Sequence, residues 1–234
     1  MPAATHSSRI YAIGDIHGRL DLLMRLQDKI RADAARSRAR RRVIVYLGDY
    51  VDRGPDSQAV VEHLAQNPLE GFETVHLKGN HEDMMLRFLA GEPVARIWFM
   101  NGGMETLRSY GVTGLVEDLP AIARAALARG VPEGHRQFLG GLALSHTEGD
   151  YLFVHAGIRP GVPLARQGEA DLLWIREEFL DSDASHGKVV VHGHTISPRP
   201  EVRANRIGID TGAFMTGRLT ALVLEEDDAS FLAT

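Results

Sequence analysis

Gly48-Asp49-Tyr50-Val51-Asp52-Arg53-Gly54 is the stretch of sequence that decides the fold. It follows the apolar run Val43-Ile44-Val45-Tyr46-Leu47, which is typical of a buried strand. Two carboxylates and a guanidinium therefore stand where a strand ends, at the sheet edge that carries the chemistry in α/β proteins. The flanking glycines suit a loop that turns sharply or lies close to a ligand.

Two other strand patterns end in polar residues in the same way. Residues 9–14 run into Asp15-Ile16-His17-Gly18, and residues 73–77 run into Gly79-Asn80-His81-Glu82. Asp15 and His17 point to the same side if the chain is extended there. Helical patterns follow at residues 21–36, from Pro55 onward and at residues 84–89, so we expect three strand-motif-helix units with right-handed crossovers.

The second half of the chain predicts an inserted helical segment and a second sheet. Residues 98–146 are alanine-rich with glycine breaks, and we interpret them as a helical cap over the sheet edge, inserted in a single domain of residues 1–234. For Trp98, Phe99, Met100 and Met104 there are two alternatives, the core of this cap or the lining of a substrate groove, and we expect the core. Strand patterns resume at residues 151–154, before His155, and at 189–191, before His194, with two more at 206–210 and 219–224.

Composition excludes several classes of protein. The 234 residues are 44% hydrophobic and 24% charged, as in ordinary globular proteins. Cysteine is absent, so His, Asp, Glu or Asn must hold any metal ion. A net charge of -5 argues against a stable nucleic-acid binder. No stretch reaches the roughly 18 apolar residues of a membrane span, and we expect a soluble, cytoplasmic protein.

Six side chains with oxygen or imidazole donors stand at the strand ends: Asp15, His17, Asp49, Asn80, His155 and His194. Such donors suit manganese, iron or zinc better than a soft ion. Six ligands are too many for one ion with an open position, so they predict two ions. A carboxylate that bridges ions about 3.5–4 Å apart allows them to hold a phosphate and to activate a water for attack on phosphorus.

Five motifs occur together in this chain: Gly14-Asp15-Ile16-His17-Gly18, Gly48-Asp49-Tyr50-Val51-Asp52-Arg53-Gly54, Gly79-Asn80-His81-Glu82, His155-Ala156-Gly157 and Gly193-His194. In combination they resemble the calcineurin-like metallophosphoesterases, and more narrowly the bacterial and phage form of the serine/threonine phosphoprotein phosphatases. Asn101-Gly102-Gly103 and Ile209-Asp210-Thr211-Gly212 also fit the bacterial branch. The resemblance implies an α/β fold, a four-layer α-β-β-α sandwich with a dinuclear metal site between the sheets.

The resemblance also implies the two sets of metal ligands. The first ion would be held by Asp15, His17 and Asp49, and the second by Asp49, Asn80, His155 and His194. We expect the ions to be Mn²⁺, with iron and zinc as alternatives.

The remaining site residues are assigned by the same resemblance. His81 would protonate the leaving oxygen, and Asp52 would orient it. Arg53 and Asn80 would bind the substrate phosphate. Arg176 would join them, because it follows Trp174 by two residues as in the bacterial enzymes.

Three functions remain open at this point. The leading hypothesis is a phosphatase for phosphoserine and phosphothreonine in proteins. A symmetrical bis(5'-nucleosyl)-tetraphosphatase would use the same fold and metals, although relatives of that kind usually lack a carboxylate at Asp52 and carry Asp at Glu82. A non-catalytic interaction module predicts a broken ligand set, whereas all six ligands are present. The oligomeric state stays open.

Overall fold

Two five-stranded mixed sheets form the centre of the computed structural model, which describes residues 7–114 and 119–234. The first sheet has the order β10-β9-β1-β2-β3, and the second has the order β4-β5-β6-β8-β7. The strands are β1 Ser8–Ile13, β2 Arg41–Tyr46, β3 Glu73–His76, β4 Ser145–Glu148, β5 Tyr151–Val154, β6 Val189–His192, β7 Glu201–Val202, β8 Arg206–Gly208, β9 Thr220–Glu225 and β10 Asp228–Ala233.

Ten α-helical segments connect and cover the strands in the described part of the chain. They are α1 Leu20–Ala34, α2 Ser57–Gln66, α3 Asn80–Ala90, α4 Ala95–Trp98, α5 Met104–Ser109, α6 Pro120–Gly130, α7 Glu133–Gly140, α8 Glu169–Trp174, α9 Glu177–Leu180 and α10 Ala213–Thr216. A kinked turn, Phe99–Gly103, joins α4 to α5, and a 3₁₀ turn, Leu164–Arg166, precedes α8.

The core is divided into three apolar layers, which confirms the four-layer sandwich. Side chains alternate along β1, so Ile10 packs between the two sheets and Tyr11 packs under the helices on the outer face of the first sheet. A smaller cluster, which includes Val190 and Phe179, packs α8 and α9 on the outer face of the second sheet. The observed layers are therefore helix, sheet, sheet and helix.

Parallel pairing brings the polar loops to one edge of the first sheet. β1 pairs with β2 and β2 with β3, all in the same direction, so the loops that follow them leave at the same edge. In the second sheet β5 and β6 are also parallel, and they deliver the loops of His155 and His194. This arrangement was expected from the sequence.

Two helices begin at positions that differ from the sequence prediction. We expected a helix from Pro55 and another from Met84, whereas α2 begins at Ser57 and α3 begins at Asn80. The Glu82 carboxylate accepts the Gly79 N–H at 2.9 Å, so it caps the start of α3. Asn80 and His81 therefore lie in the first helical turn.

The inserted helices pack mainly on α2 and α3. α5 and α7 contact α2, while α4, α6 and α7 contact α3. The helical region runs from α4 to α7, and His146, our expected end point, lies inside β4.

The expectation that Met100 belongs to the core of this region is wrong. Trp98 is fully buried and Phe99 and Met104 pack partly on the core. Met100 is 77% exposed, because it lies just before the kink at Asn101 and Gly102 and lines an open groove.

Among the described residues, no helix has the length and apolar character needed to cross a bilayer.

Candidate active site

Five polar residues in the loops at this sheet edge have left-handed backbone conformations. The φ angles are 45° at His17, 52° at Asp49, 71° at Asp52, 66° at Arg53 and 62° at His194. A non-glycine residue in this region costs about 1–2 kcal/mol relative to a right-handed conformation. Such strain concentrates at functional sites, where surrounding contacts hold the backbone in place.

The loops bring buried histidines together around the Asp49 carboxylate. Its Oδ2 lies 3.4 Å from His17 Nε2 and 3.8 Å from His81 Nε2, and its Oδ1 lies 3.4 Å from His155 Nε2. Two groups of ligand atoms result, and both could hold a metal ion: His17, Asp49 and His81, and Asp49, His155 and His194. Asp49 belongs to both groups, as a bridging ligand must.

Backbone carbonyls fix the ring nitrogen that faces this centre. His17 Nδ1–H donates to Val51 O at 2.8 Å, and His155 Nδ1–H donates to Leu47 O at 2.9 Å. The Nε2 atoms are therefore unprotonated and carry the lone pair of the ring, as in most metal-binding histidines. His155 Nε2 also faces Asn80 Oδ1 at 2.8 Å, and two lone pairs at this distance are stabilised by a shared cation.

Burial keeps these imidazoles in the neutral form that binds metals. It lowers the pKa of His17 to about 3 and that of His194 to about 2, and it also lowers the pKa of His155. His194 Nε2 is buried and finds no hydrogen-bond partner within the described ranges. Neutral imidazoles with free nitrogens beside a carboxylate fit a divalent ion.

Asp15 lies beside the centre but outside both groups of ligand atoms. Its Oδ2 accepts the His194 backbone N–H at 3.0 Å. Its neighbour is Asp210, a buried residue for which the sequence suggested no role. Asp210 Oδ1 accepts the Gly212 N–H at 2.9 Å, whereas Oδ2 has no hydrogen-bond partner in the part of the chain that the structure describes.

His81 and Asp52 form a buried pair next to this centre. His81 Nδ1–H donates to Asp52 Oδ2 at 2.6 Å, so Nε2 is the ring nitrogen that faces Asp49. Burial alone would lower the pKa of His81, but the Asp49 and Asp52 carboxylates outweigh it and raise the pKa. The pair therefore favours an imidazolium that can give up a proton from Nε2.

The Asp52 carboxylate is held by Trp98, which was expected only in the core of the cap, and by Thr106, for which the sequence suggested no role. Trp98 Nε1–H donates to Oδ2 at 2.9 Å, and the Thr106 hydroxyl donates to Oδ1 at 2.6 Å. Both come from the helical region that follows α3. Only the three-dimensional structure brings them to Asp52, because 46 and 54 residues separate them from it in the chain.

Glu82 holds the central loop through backbone contacts alone. Its Oε2 accepts the N–H of Asp49 at 2.8 Å and of Gly79 at 2.9 Å. Its Oε1 accepts the N–H of Tyr50 at 2.7 Å and of Val51 at 3.2 Å. A single buried carboxylate thus ties the loop after β2 to the start of α3.

The two arginines stand on different sides of the centre. Arg53 Nη1–H donates to His17 Nε2 at 3.1 Å, and its guanidinium lies 4.8 Å from the centroid of the Phe214 ring. Arg176 is exposed and donates to Thr195 Oγ1 at 3.1 Å, beside the His194 loop. Arg53 also borders an open groove of about 660 Å³ that Met100 and Phe214 help to line.

His192, which precedes the Gly193-His194 motif, contacts the layers around β6. Its ring packs 5.1 Å from Phe179, and its Nδ1 lies 3.1 Å from the Gly193 carbonyl. Burial lowers its pKa to about 4. It therefore belongs to the core between β6 and α9.

The site can be compared with known proteins at this point. The chain is 30% identical over 221 residues to serine/threonine-protein phosphatase 1 of Salmonella typhimurium, with 90% of this chain and 89% of the relative covered. It is 27% identical over 233 residues to the asymmetrical bis(5'-nucleosyl)-tetraphosphatase PrpE of Halalkalibacterium halodurans, with 92% and 89% covered.

Solved structures show the same fold. A putative diadenosine tetraphosphatase superposes with a TM-score of 0.65 at 22% identity, covering 100% of this chain and 98% of the other. A cold-active protein-tyrosine phosphatase of a psychrophilic Shewanella superposes with a TM-score of 0.59 at 16% identity, covering 99% and 83%.

A family model matches most of the chain. The model of the calcineurin-like phosphoesterases matches residues 8–212, which include every loop of the site described above. Members of this family are metal-dependent phosphoester hydrolases, in agreement with the His and Asp groups that could hold metal ions. On this match and this fold, the chain belongs to the calcineurin-like phosphoesterase family.

Proposed function

We propose that this protein is a phosphomonoesterase and that its substrates are proteins or peptides phosphorylated on serine or threonine. The observation that carries the proposal is the buried His81–Asp52 pair, with a 2.6 Å hydrogen bond, next to the Asp49 centre. A serine or threonine alkoxide is a poor leaving group, so its departure needs a positioned acid. A nucleotide leaving group needs less help, because the second pKa of a phosphate is about 6.

The metal ions in this proposal are two divalent cations, with Mn²⁺ as the first choice. We assign Asp15, His17 and Asp49 to one ion, and Asp49, Asn80, His155 and His194 to the other. His17, Asp49, His155 and His194 lie in the two groups of ligand atoms, and Asn80 Oδ1 faces His155 Nε2. When bound, such ions supply positive charge for the phosphoryl oxygens and lower the pKa of the attacking water. The neutral imidazoles and the unpartnered His194 Nε2 support this assignment.

His81 is the proposed acid. The oxygen of the attacking water forms a bond to phosphorus as the P–O bond to the serine oxygen breaks. The proton on His81 Nε2 passes to the serine oxygen, and the protons of the water stay on the released phosphate. Asp52 keeps the Nδ1–H bond throughout, so the ring stays oriented while its charge changes. The Asp52 carboxylate, which accepts from Nδ1 and helps to raise the pKa of His81, supports a protonated ring before the transfer.

Arg53, Asn80 and Arg176 are the proposed phosphate-binding residues. Arg53 is partly buried and its Nη1 lies within the cluster, 3.1 Å from His17 Nε2, so its fork can reach an anion bound there. Arg176 lies on the exposed side beside the His194 loop. A phosphate held from both sides would be oriented with its leaving oxygen toward His81.

Hydrolysis of dinucleoside tetraphosphates is the second candidate. Relatives named as asymmetrical bis(5'-nucleosyl)-tetraphosphatases cover nine-tenths of the chain. Those names specify the asymmetrical enzyme, whereas the symmetrical one was the alternative that the sequence suggested. The open groove beside Arg53 gives space for a substrate larger than a phosphate group.

The test is a direct comparison of substrates. We would measure kcat/KM of the Mn²⁺-loaded protein on a phosphoserine peptide and on diadenosine tetraphosphate. A hundredfold preference for the peptide, about 2.7 kcal/mol of transition-state stabilisation, is the expected result. The opposite preference would assign the chain to the second candidate, and the products, ATP with AMP or two ADP, would then give the mode of cleavage.

A further inference from the structure

We propose that Trp98 and Thr106 are positioning residues for the proton transfer from His81. They act through the Asp52 carboxylate, so the segment from Trp98 to Thr106 is part of the machinery of the reaction. The inference rests on the proposed function, because it requires His81 to be the acid.

The first observation is that both carboxylate oxygens of Asp52 accept hydrogen bonds from buried side chains. Oδ2 accepts from His81 Nδ1 at 2.6 Å and from Trp98 Nε1 at 2.9 Å. Oδ1 accepts from the Thr106 hydroxyl at 2.6 Å. Asp52, Trp98 and Thr106 have no exposed surface, so water does not compete for these bonds. The carboxylate therefore has one orientation, and it passes that orientation to the imidazole.

The second observation concerns the backbone of the same residue. Thr106 Oγ1 accepts the Asp52 N–H at 2.9 Å, and Ser57 Oγ accepts it at 3.0 Å. Asp52 has a φ of 71°, an unfavourable conformation for a residue with a side chain. The Thr106 hydroxyl thus makes two hydrogen bonds to Asp52, one with its backbone N–H and one with its carboxylate.

The third observation explains the Asn101-Gly102-Gly103 motif. A Cβ on Gly102 would lie 2.4 Å from Arg53 N, and a Cβ on Gly103 would lie 2.6 Å from the Trp98 ring. Gly102 also has a φ of 100°. The glycines let the kinked turn lie directly against Arg53 and the indole, and this contact places Trp98 Nε1 at Asp52.

The consequence is specific to the leaving group. An alkyl phosphate needs the proton from His81, whereas an aryl phosphate such as p-nitrophenyl phosphate releases a stable phenolate. If Trp98 and Thr106 act by orienting His81, their loss should slow the alkyl substrate selectively. A residue that only supports the fold would slow both substrates alike.

The experiment uses two conservative variants of the full-length, Mn²⁺-loaded protein. Trp98→Phe keeps a ring but removes the N–H, and Thr106→Val keeps the shape but removes the hydroxyl. We expect kcat on a phosphoserine peptide to fall about tenfold in each, with KM little changed and with kcat on p-nitrophenyl phosphate within about threefold of wild type. Thr106→Ser, which keeps the hydroxyl, should restore most of the loss.

Tyr46→Phe is the matched control. It also removes a buried hydroxyl, which accepts from Gln27 Nε2 at 3.0 Å. Tyr46 lies on β2 with its ring in the apolar layer under the helices, and within the described residues its hydroxyl has no hydrogen bond to Asp52. It should leave both substrates unchanged. Circular dichroism and thermal melting would identify any variant that does not fold, and Thr106→Val then carries the test if Trp98→Phe fails.

The decisive comparison is made in the His81→Asn background. There Trp98→Phe and Thr106→Val should cause no further loss on the phosphopeptide, because the group they orient is gone. Equal losses on alkyl and aryl substrates in folded variants, or losses that add to that of His81→Asn, would overturn the proposal. If His81→Asn itself slows both substrates equally, the acid role in the proposed function fails and the positioning role fails with it.

Discussion

Replacing Glu82 by Gln tests how the central loop is held, and its effect can be worked out from the hydrogen bonds. Each carboxylate oxygen accepts two backbone N–H groups, Oε2 from Asp49 and Gly79 and Oε1 from Tyr50 and Val51. A Gln amide has only one oxygen, so in either orientation its NH₂ group faces two N–H donors. Two buried donors then lose their acceptor.

The expected loss in stability is large for a change of one atom. Each unsatisfied buried donor costs about 1–3 kcal/mol, so the variant should lose about 4 kcal/mol of unfolding free energy. Urea denaturation monitored by circular dichroism measures this value. Glu92→Gln is the control, because the Glu92 contact with Arg87 Nε is on the surface and its loss should cost less than about 1 kcal/mol.

The same variant also tests what Glu82 does for substrate choice. Among the described residues, the hydrogen bonds of its carboxylate all come from backbone N–H groups, so Glu82→Gln should lower kcat/KM on a phosphopeptide and on a dinucleoside tetraphosphate in parallel. A stability within about 1 kcal/mol of wild type would refute the reasoning about the loop. A large change in the ratio of the two kcat/KM values would show that Glu82 influences the substrate directly.

Three further variants are expected to separate metal binding, loop contact and histidine titration. Asp49→Asn removes the carboxylate shared by both ligand groups, so elemental analysis should find fewer than two metal ions per chain. The loss of kcat/KM should exceed the roughly 100-fold that follows the loss of a residue that only supports a metal ligand. Full occupancy with normal turnover would contradict the bridging role. Gly102→Ala should lower kcat/KM about tenfold, because the added Cβ would collide with Arg53. Gly111→Ala is the control, because Gly111 also has a positive φ but an added Cβ would meet no atom within 4 Å, so it should lose only about 1 kcal/mol of stability. Burial lowers the pKa of His76 to about 4, so between this pH and about 6.5 the unfolded chain binds more protons than the folded protein. The free energy of unfolding should therefore fall by about 2 kcal/mol from pH 7.5 to pH 5 because of this group. His76→Phe should lack this contribution, as measured by urea denaturation at both pH values.

The sequence predicted those parts of the fold that local patterns determine. The run of residues 43–47 is apolar on both sides, as expected for β2, which is covered by a helical layer on one face and by the second sheet on the other. The polar loops after β1, β2 and β3 met at one edge because parallel strands leave no other arrangement. Helix starts were less predictable, since α3 begins at Asn80 through a bond from Glu82 to Gly79 that depends on the folded loop.

The candidate ligands were predictable for the same reason, whereas their supports were not. His17, Asp49, His155 and His194 follow strands directly, so their convergence could be inferred from strand ends. Trp98 and Thr106 reach Asp52 across the packing of α4 and α5 on α3 and α2, and no pattern in the chain encodes that approach. Asp210 was noted only as part of a motif, and its position beside Asp15 depends on the pairing of the second sheet.

The left-handed residues connect the strength of the supports to the function. Positive φ angles occur at His17, Asp49, Asp52, Arg53 and His194, and such a conformation costs up to about 1–2 kcal/mol for a residue with a side chain, although Asp and His adopt it more readily than most. At Asp49 and Asp52 the strain is offset by buried hydrogen bonds of the loop backbone. Glu82 accepts four backbone N–H groups, and the Asp52 N–H donates to the Ser57 and Thr106 hydroxyls. Replacing these residues by glycine would relax the backbone, but it would also remove the side chains that this conformation directs toward the centre. The buried polar network is therefore better explained as the structural requirement of a preorganised centre than as a general contribution to stability.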